Sequence, residues 1–123
     1  MSYLAATADL LKVAHATLSA SVMPLVDRET RYEAALVANA LAIAVRELEL
    51  GAQARATERR LLADLYGTPE STLADLRARL CRDLRAGAFG PARAEEVRML
   101  LQQAVHWRLA ISNPNYGGSA QAP

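Results

Sequence analysis

Asn39 and Arg46 stand two helical turns apart in the most apolar stretch of the chain, TRYEAALVANALAIAVRELEL at 30–50. From Ala34 to Val45, Asn39 is the only strongly polar residue. An amide and a guanidinium on one helix face can hold an anion, with the arginine as a two-pronged donor to a carboxylate or phosphate. They can also be structural. Asn39 would then tie the backbone of a neighbouring loop, and Arg46 would pair with a carboxylate such as Glu47 or one from another helix. Buried without a partner, such groups cost roughly 1–3 kcal/mol, and more if charged, so each needs a partner on either reading. We take the structural role as the first expectation and an anion site as the alternative. His15 and Arg108 also fall on otherwise apolar faces. A lone histidine among apolar neighbours reads first as a hydrogen-bonded core residue. On the alternative reading, Arg46, Glu47, Arg108, His15 and Tyr116 line a pocket of a few hundred Å³.

The elements that must position these residues all read as helices. The 30–50 stretch is apolar nearly all the way round, which marks a buried helix. Asp27 is a suitable N-cap with Glu29 in the first turn, and Gly51 is a suitable stop. At 100° per residue, Tyr32, Asn39, Arg46 and Leu50 fall within roughly 40° of one line, with Leu36 and Ile43 beside them. A first helix over 3–23 carries the stripe Leu4, Ala8, Leu11, His15, Leu18 and Val22, and Pro24 ends or kinks it. A third helix over 53–66 turns Leu61, Leu62, Leu65 and Tyr66 inward and stops at Gly67. Thr68 then caps a fourth helix, with Pro69 in its first position, running to Ala86 on the face Leu73, Leu76, Leu80 and Leu84. Arg79, Arg82 and Arg85 form its solvated side, and Cys81 packs beside the leucines as an inert thiol. Phe89 plugs the core at the next turn. A fifth helix over 91–112 presents Val97, Leu100, Leu101, Ala104, Trp107, Arg108 and Ile111, with His106 on the exposed side and Asn113-Pro114 as its end. The small polar tail from Gly117 to Pro123 reads as disordered. Short connections favour antiparallel neighbours. The expected fold is all-α, an up-and-down bundle of about five helices, with the second, at about 28–50, in the centre of a single domain over 1–116.

Composition narrows the function classes. The chain has 123 residues, adequate for one core. A net charge of +1 supplies no bulk attraction to nucleic acid or membrane. One cysteine excludes an internal disulfide and a multi-cysteine zinc site. No signal peptide or membrane span is read, so the expected location is cytoplasmic.

Motifs that carry chemistry are scarce in the chain. Neither histidine has a glutamate three residues before it, as a carboxylate-bridged metal site in a bundle needs. Glu95 and Glu96 are adjacent and point in different directions. HExxH, glycine-rich phosphate loops and Gly-x-Ser-x-Gly are not found, and no cofactor is expected. The aromatics are too few for a base-stacking platform. Leu62-Ala63, Tyr66-Gly67, Leu73 and Leu76 have helix-turn-helix spacing, with Ser71, Thr72, Ala74 and Asp75 presented by a recognition helix from Pro69 or Glu70. Glu70 and Asp75 would face phosphates, which makes DNA binding the third reading.

Two stretches together resemble an uncharacterised bacterial family, the DUF6285 domain. ALVANALAIAVRELELG at 35–51 is similar to its ANALAIVxRELxxG core. RLAISNPNY at 108–116 is similar to its KLAIxNPxY ending, and LCRDLRAGAF at 80–89 resembles the segment between. By position, the resemblance marks Asn39, Arg46, Glu47, Asn113, Pro114 and Tyr116, while Arg108 stands where the family often has lysine. It implies association with aminoglycoside-phosphotransferase-like kinases and acyl-CoA dehydrogenases, and no activity. The leading expectation is therefore a helical accessory or protein-interaction domain. In it Asn39, Arg46 and the NPNY end form one polar cluster that fixes the C-terminal segment. A protein partner such as that kinase, or a homodimer sealed by a leftover apolar face on the first or fifth helix, fits this reading.

Overall fold

The computed structural model describes residues 3–116. It holds four α-helices: α1 (Tyr3–Thr17), α2 (Arg31–Tyr66), α3 (Leu73–Ala86) and α4 (Pro91–Ser112). No strand occurs among the described residues. No helix there is long and apolar enough to cross a membrane. The tail expected to be disordered, 117–123, lies outside the described residues. The chain divides into two compact units, Met1–Ala52 with Ile111–Asn113, and Gln53–Ala110 with Pro114–Pro123. Both α2 and α4 contribute residues to each unit.

The count is four because the expected second and third helices are one. α2 runs without interruption through Gly51, which is buried. A glycine inside a helix costs about 1 kcal/mol relative to alanine and does not by itself end one. Ala52, Gln53, Ala54 and Arg55 follow it, all good helix formers, and no proline does. Gly67 does stop α2. It sits at φ +65°, and Thr68 N–H, just past the turn, donates back to Ala63 O at 3.1 Å.

In the first unit, α1 continues as a π-helical turn (Leu18–Val22) and a 3-10 turn (Met23–Leu25) rather than as α-helix to residue 23. Pro24 lies in that last turn, where its missing N–H is harmless. Asp27 is not the N-cap of α2 as expected: the helix begins at Arg31, with Ala34 N–H on Thr30 O at 3.1 Å and Glu33 rather than Glu29 in its first turn, and Asp27 braces the turn that leads into it. Thr30 N–H donates to Asp27 Oδ1 at 2.8 Å, and the Thr30 hydroxyl bonds the same oxygen. These bonds hold the Asp27 carboxyl below its usual range. α1 is tied to α2 by an ion pair of Lys12 Nζ with Glu49 Oε2 at 2.7 Å, and Ala8 of α1 is buried.

The first part of α2 is not the buried helix its composition suggests. From Arg31 to Ala52 only Val45 and Gly51 are buried, while Tyr32 is 71% and Leu36 51% exposed. An alanine-rich sequence allows burial on every side, but α1 covers only one side of it within this unit.

The second unit holds the packed core. Leu62, Ala63 and Leu65 of α2, Leu76 and Leu80 of α3, and Val97 and Leu100 of α4 form one buried cluster, with Leu61, Tyr66, Leu73 and Phe89 packed against it. Each fully buried leucine contributes roughly 1.5–3 kcal/mol. α3 starts later than Thr68-Pro69 suggests. Residues 68–71 form a turn closed by Ser71 N–H on Thr68 O at 3.2 Å, and Thr72 is the true N-cap, its Oγ1 accepting from Asp75 N–H at 3.2 Å. Gly87 ends α3 at φ +64°, with Ala88 N–H on Asp83 O at 2.9 Å and Gly87 N–H on Leu84 O at 3.2 Å. Helix α4 has the expected bounds.

Candidate functional site

Arg46 is half-buried on α2 in the first unit. The partner of its Nε is a main-chain oxygen, where a carboxylate such as Glu47 was the expectation. Nε donates to the carbonyl oxygen of Ile111 at 2.6 Å. That carbonyl is in the last turn of α4, where intrahelical donors have run out. Asn113 follows two residues later and is exposed. The arrangement is an anchor for the chain end, with the guanidinium directed at a main-chain oxygen.

The other residues singled out by sequence are placed as follows. Asn39 is exposed on α2, and Glu47 is exposed one residue beyond Arg46. His15 is half-buried on α1. Arg108 and Tyr116 belong to the second unit, and both are exposed. His106, expected on the exposed side of the last helix, is half-buried, and Cys81, expected to be packed, is exposed. The first unit has a cavity of about 350 Å³ between α1 and α2. Leu4, Ala5, Ala8, Asp9, Leu48 and Glu49 line it, and none of the residues singled out above does.

A cluster in the second unit is the feature that the sequence pattern did not reveal. Tyr66 OH donates to Asp83 Oδ2 at 2.6 Å. The Arg79 guanidinium lies over the Tyr66 ring at 4.0 Å, so this arginine is engaged rather than simply solvated. Arg93 donates Nη2 to Leu65 O at 2.7 Å and lies over the Phe89 ring at 5.9 Å. Burial and then the Asp83 hydrogen bond push the Tyr66 phenol up to about 12. The cluster closes the C-terminal end of α2 against α3 and α4. Its phenol keeps its proton at neutral pH and is committed to Asp83, which makes it a structural clasp. The i,i+4 spacing of Arg79 and Asp83 was the available signal, and it looks the same as an ordinary surface pair.

The helix-turn-helix alternative is altered by the observed start of α3. Ser71 lies in the turn and Thr72 caps the helix, so neither is presented from within a recognition helix. Among the described residues, no group of three histidine, cysteine, aspartate or glutamate side chains stands close enough to hold a metal ion.

The described residues define an all-helical domain with an anchored C-terminal segment. The family model of DUF6285, a domain of unknown function, matches residues 24–116. The chain belongs to that family. No curated protein and no solved structure matches it.

Proposed function

We propose that the chain is a helical accessory domain that acts by binding another protein through its first unit. The observation that carries this reading is the apolar surface left open there. Leu25 is 86% and Tyr32 71% exposed, and Leu10, Val13, Leu36 and Val37 are exposed with them. Isolated exposed apolar side chains are ordinary, but Tyr32 and Leu36 stand one turn apart on α2, as Leu10 and Val13 do on α1, and such runs mark interaction surfaces. The second unit, by contrast, buries its leucines in a core. An aminoglycoside-phosphotransferase-like kinase or an acyl-CoA dehydrogenase system is the partner class suggested by the family resemblance. The reading is tested by placing a photo-crosslinking amino acid at position 36 in producing cells and, as a control, at the exposed position 82. Adducts from position 36 and none from position 82 support it. Equal adducts from both, or none from either, refute it.

A further inference from the structure

α1 is lightly held within the first unit. Ala8 is its buried residue and Leu11 and His15 are half-buried, while Leu4, Leu10 and Val13 are exposed. Its tie to α2, Lys12 Nζ on Glu49 Oε2 at 2.7 Å, joins two side chains that are each about half exposed. Solvent and salt screen such a pair, and its loss changes an equilibrium by at most about fivefold. Beside the pair the two helices do not close on each other. The cavity of about 350 Å³ separates Leu4, Ala5, Ala8 and Asp9 of α1 from Leu48 and Glu49 of α2. The backbone that leads out of α1 also changes its hydrogen-bond pattern twice. It is π-helical over Leu18–Val22, with Met23 N–H on Leu18 O, then 3-10 over Met23–Leu25, and Val26 is extended at ψ 135°. Such changes mark hinges, and Pro24 has no N–H to carry an α-helical pattern through. Ser19, Ala20, Ser21 and Val22 are exposed, so this backbone can rearrange without opening a core. The stretch shared with the family begins at residue 24, after α1 and the π-helical turn.

We infer that α1 is a hinged cover, which swings off α2 about residues 18–26 while the second unit stays folded, and that the Lys12–Glu49 pair sets how often it does so. The inference goes beyond the interaction-domain reading and does not depend on it. Hinges of this kind absorb a rotation in a few residues at the end of an element. Release uncovers Ala8 and Leu48, and so enlarges the apolar surface of the first unit in a salt-dependent way. A helix of 15 residues is marginal in water by itself. α1 therefore gives up its helical bonds on release, and its amides report each opening.

The test is amide hydrogen exchange of the full chain, read residue by residue by NMR at neutral pH. The amides from Ala8 to Thr17 should exchange together, at least about tenfold faster than those of Leu76 and Leu80 in α3. Lys12→Gln should speed the α1 amides by about two- to fivefold and leave the α3 amides unchanged. Raising sodium chloride to about 0.5 M should act on the wild type in the same direction. Glu49→Gln should match Lys12→Gln, and the double variant should go no further than either single one, because all three remove one pair. α1 amides as slow as those of α3 would mean that α1 opens only when the whole chain unfolds, which overturns the inference. Rates that fall off smoothly from Ala8 to Thr17 overturn it as well, since they describe a fraying end without a hinge. Single variants without effect, or with an equal effect on α3, also overturn it.

Discussion

Arg46 Nε donates to Ile111 O at 2.6 Å, joining two residues that are 65 positions apart in the chain and share one compact unit. The carbonyl lies at the negative end of α4, where a cation is favourable and where orphan oxygens need donors. Replacing Arg46 by leucine leaves that oxygen unsatisfied at a half-buried position. Arg46→Leu should lower stability by about 1–2 kcal/mol, seen as a thermal midpoint several degrees below that of an Arg28→Leu control. Arg46→Lys should recover part of the loss. Equal midpoints for the leucine variant and the control would show that the bond contributes nothing.

Tyr66 gives the second unit a sensitivity to alkaline pH. Its phenol is raised above the ordinary tyrosine value, to about 12, by burial and by its bond to Asp83. The folded chain therefore holds this proton more tightly than the unfolded chain does. The stabilisation is fully present below about pH 10 and is lost as the pH rises from 10 towards 12. Tyr66→Phe should cost on the order of 1–2 kcal/mol at pH 8, after allowing for partial solvent screening. The gap between variant and wild type should shrink by pH 11.5. Urea midpoints at the two pH values measure it, and a constant gap would contradict the assignment.

Gly87 terminates α3 in the left-handed region, and a Cβ added there meets nothing within 4 Å. Any cost of Gly87→Ala is therefore backbone strain alone, about 1–2 kcal/mol. Gly87→Asn should cost less, because asparagine tolerates this conformation better. Chemical denaturation of the two variants against wild type gives the ranking, and an alanine variant as stable as the asparagine one would be inconsistent with the strain argument.

The glycines also show how far the sequence could be read. Gly67 was legible as a stop because it follows a leucine-bearing helical stripe and precedes residues that do not continue it. Gly51 looked similar, but good helix formers on both sides carry the helix through it. The start of α3 was misplaced for a related reason. Thr68-Pro69 and Thr72 are both acceptable starts, and the choice falls to Thr72, whose hydroxyl reaches the Asp75 N–H. The core leucines of the second unit were legible from their spacing. The exposure of Tyr32 and Leu36 was not, because spacing reports which face is apolar and not what covers it. In the candidate site, Arg46 stood out as a charge in an apolar run, and its tie to the C-terminal segment was expected from the 35–51 and 108–116 stretches taken together. The acceptor itself, the Ile111 carbonyl, was not legible, since a main-chain oxygen carries no sequence signal.

The same substitution at two places in α2 separates the two kinds of apolar residue. Leu62 is 0% exposed in the cluster of the second unit, whereas Leu36 is 51% exposed in the first. Leu62→Ala removes buried methyl groups and leaves a cavity, at a cost of about 2–5 kcal/mol. Leu36→Ala removes surface that water already reaches, and at low micromolar concentration it should cost under about 0.5 kcal/mol. Equilibrium denaturation of the two variants against wild type reads both values. If Leu36→Ala were as costly as Leu62→Ala in dilute solution, residue 36 would be a core position of the single chain and not part of an open apolar surface.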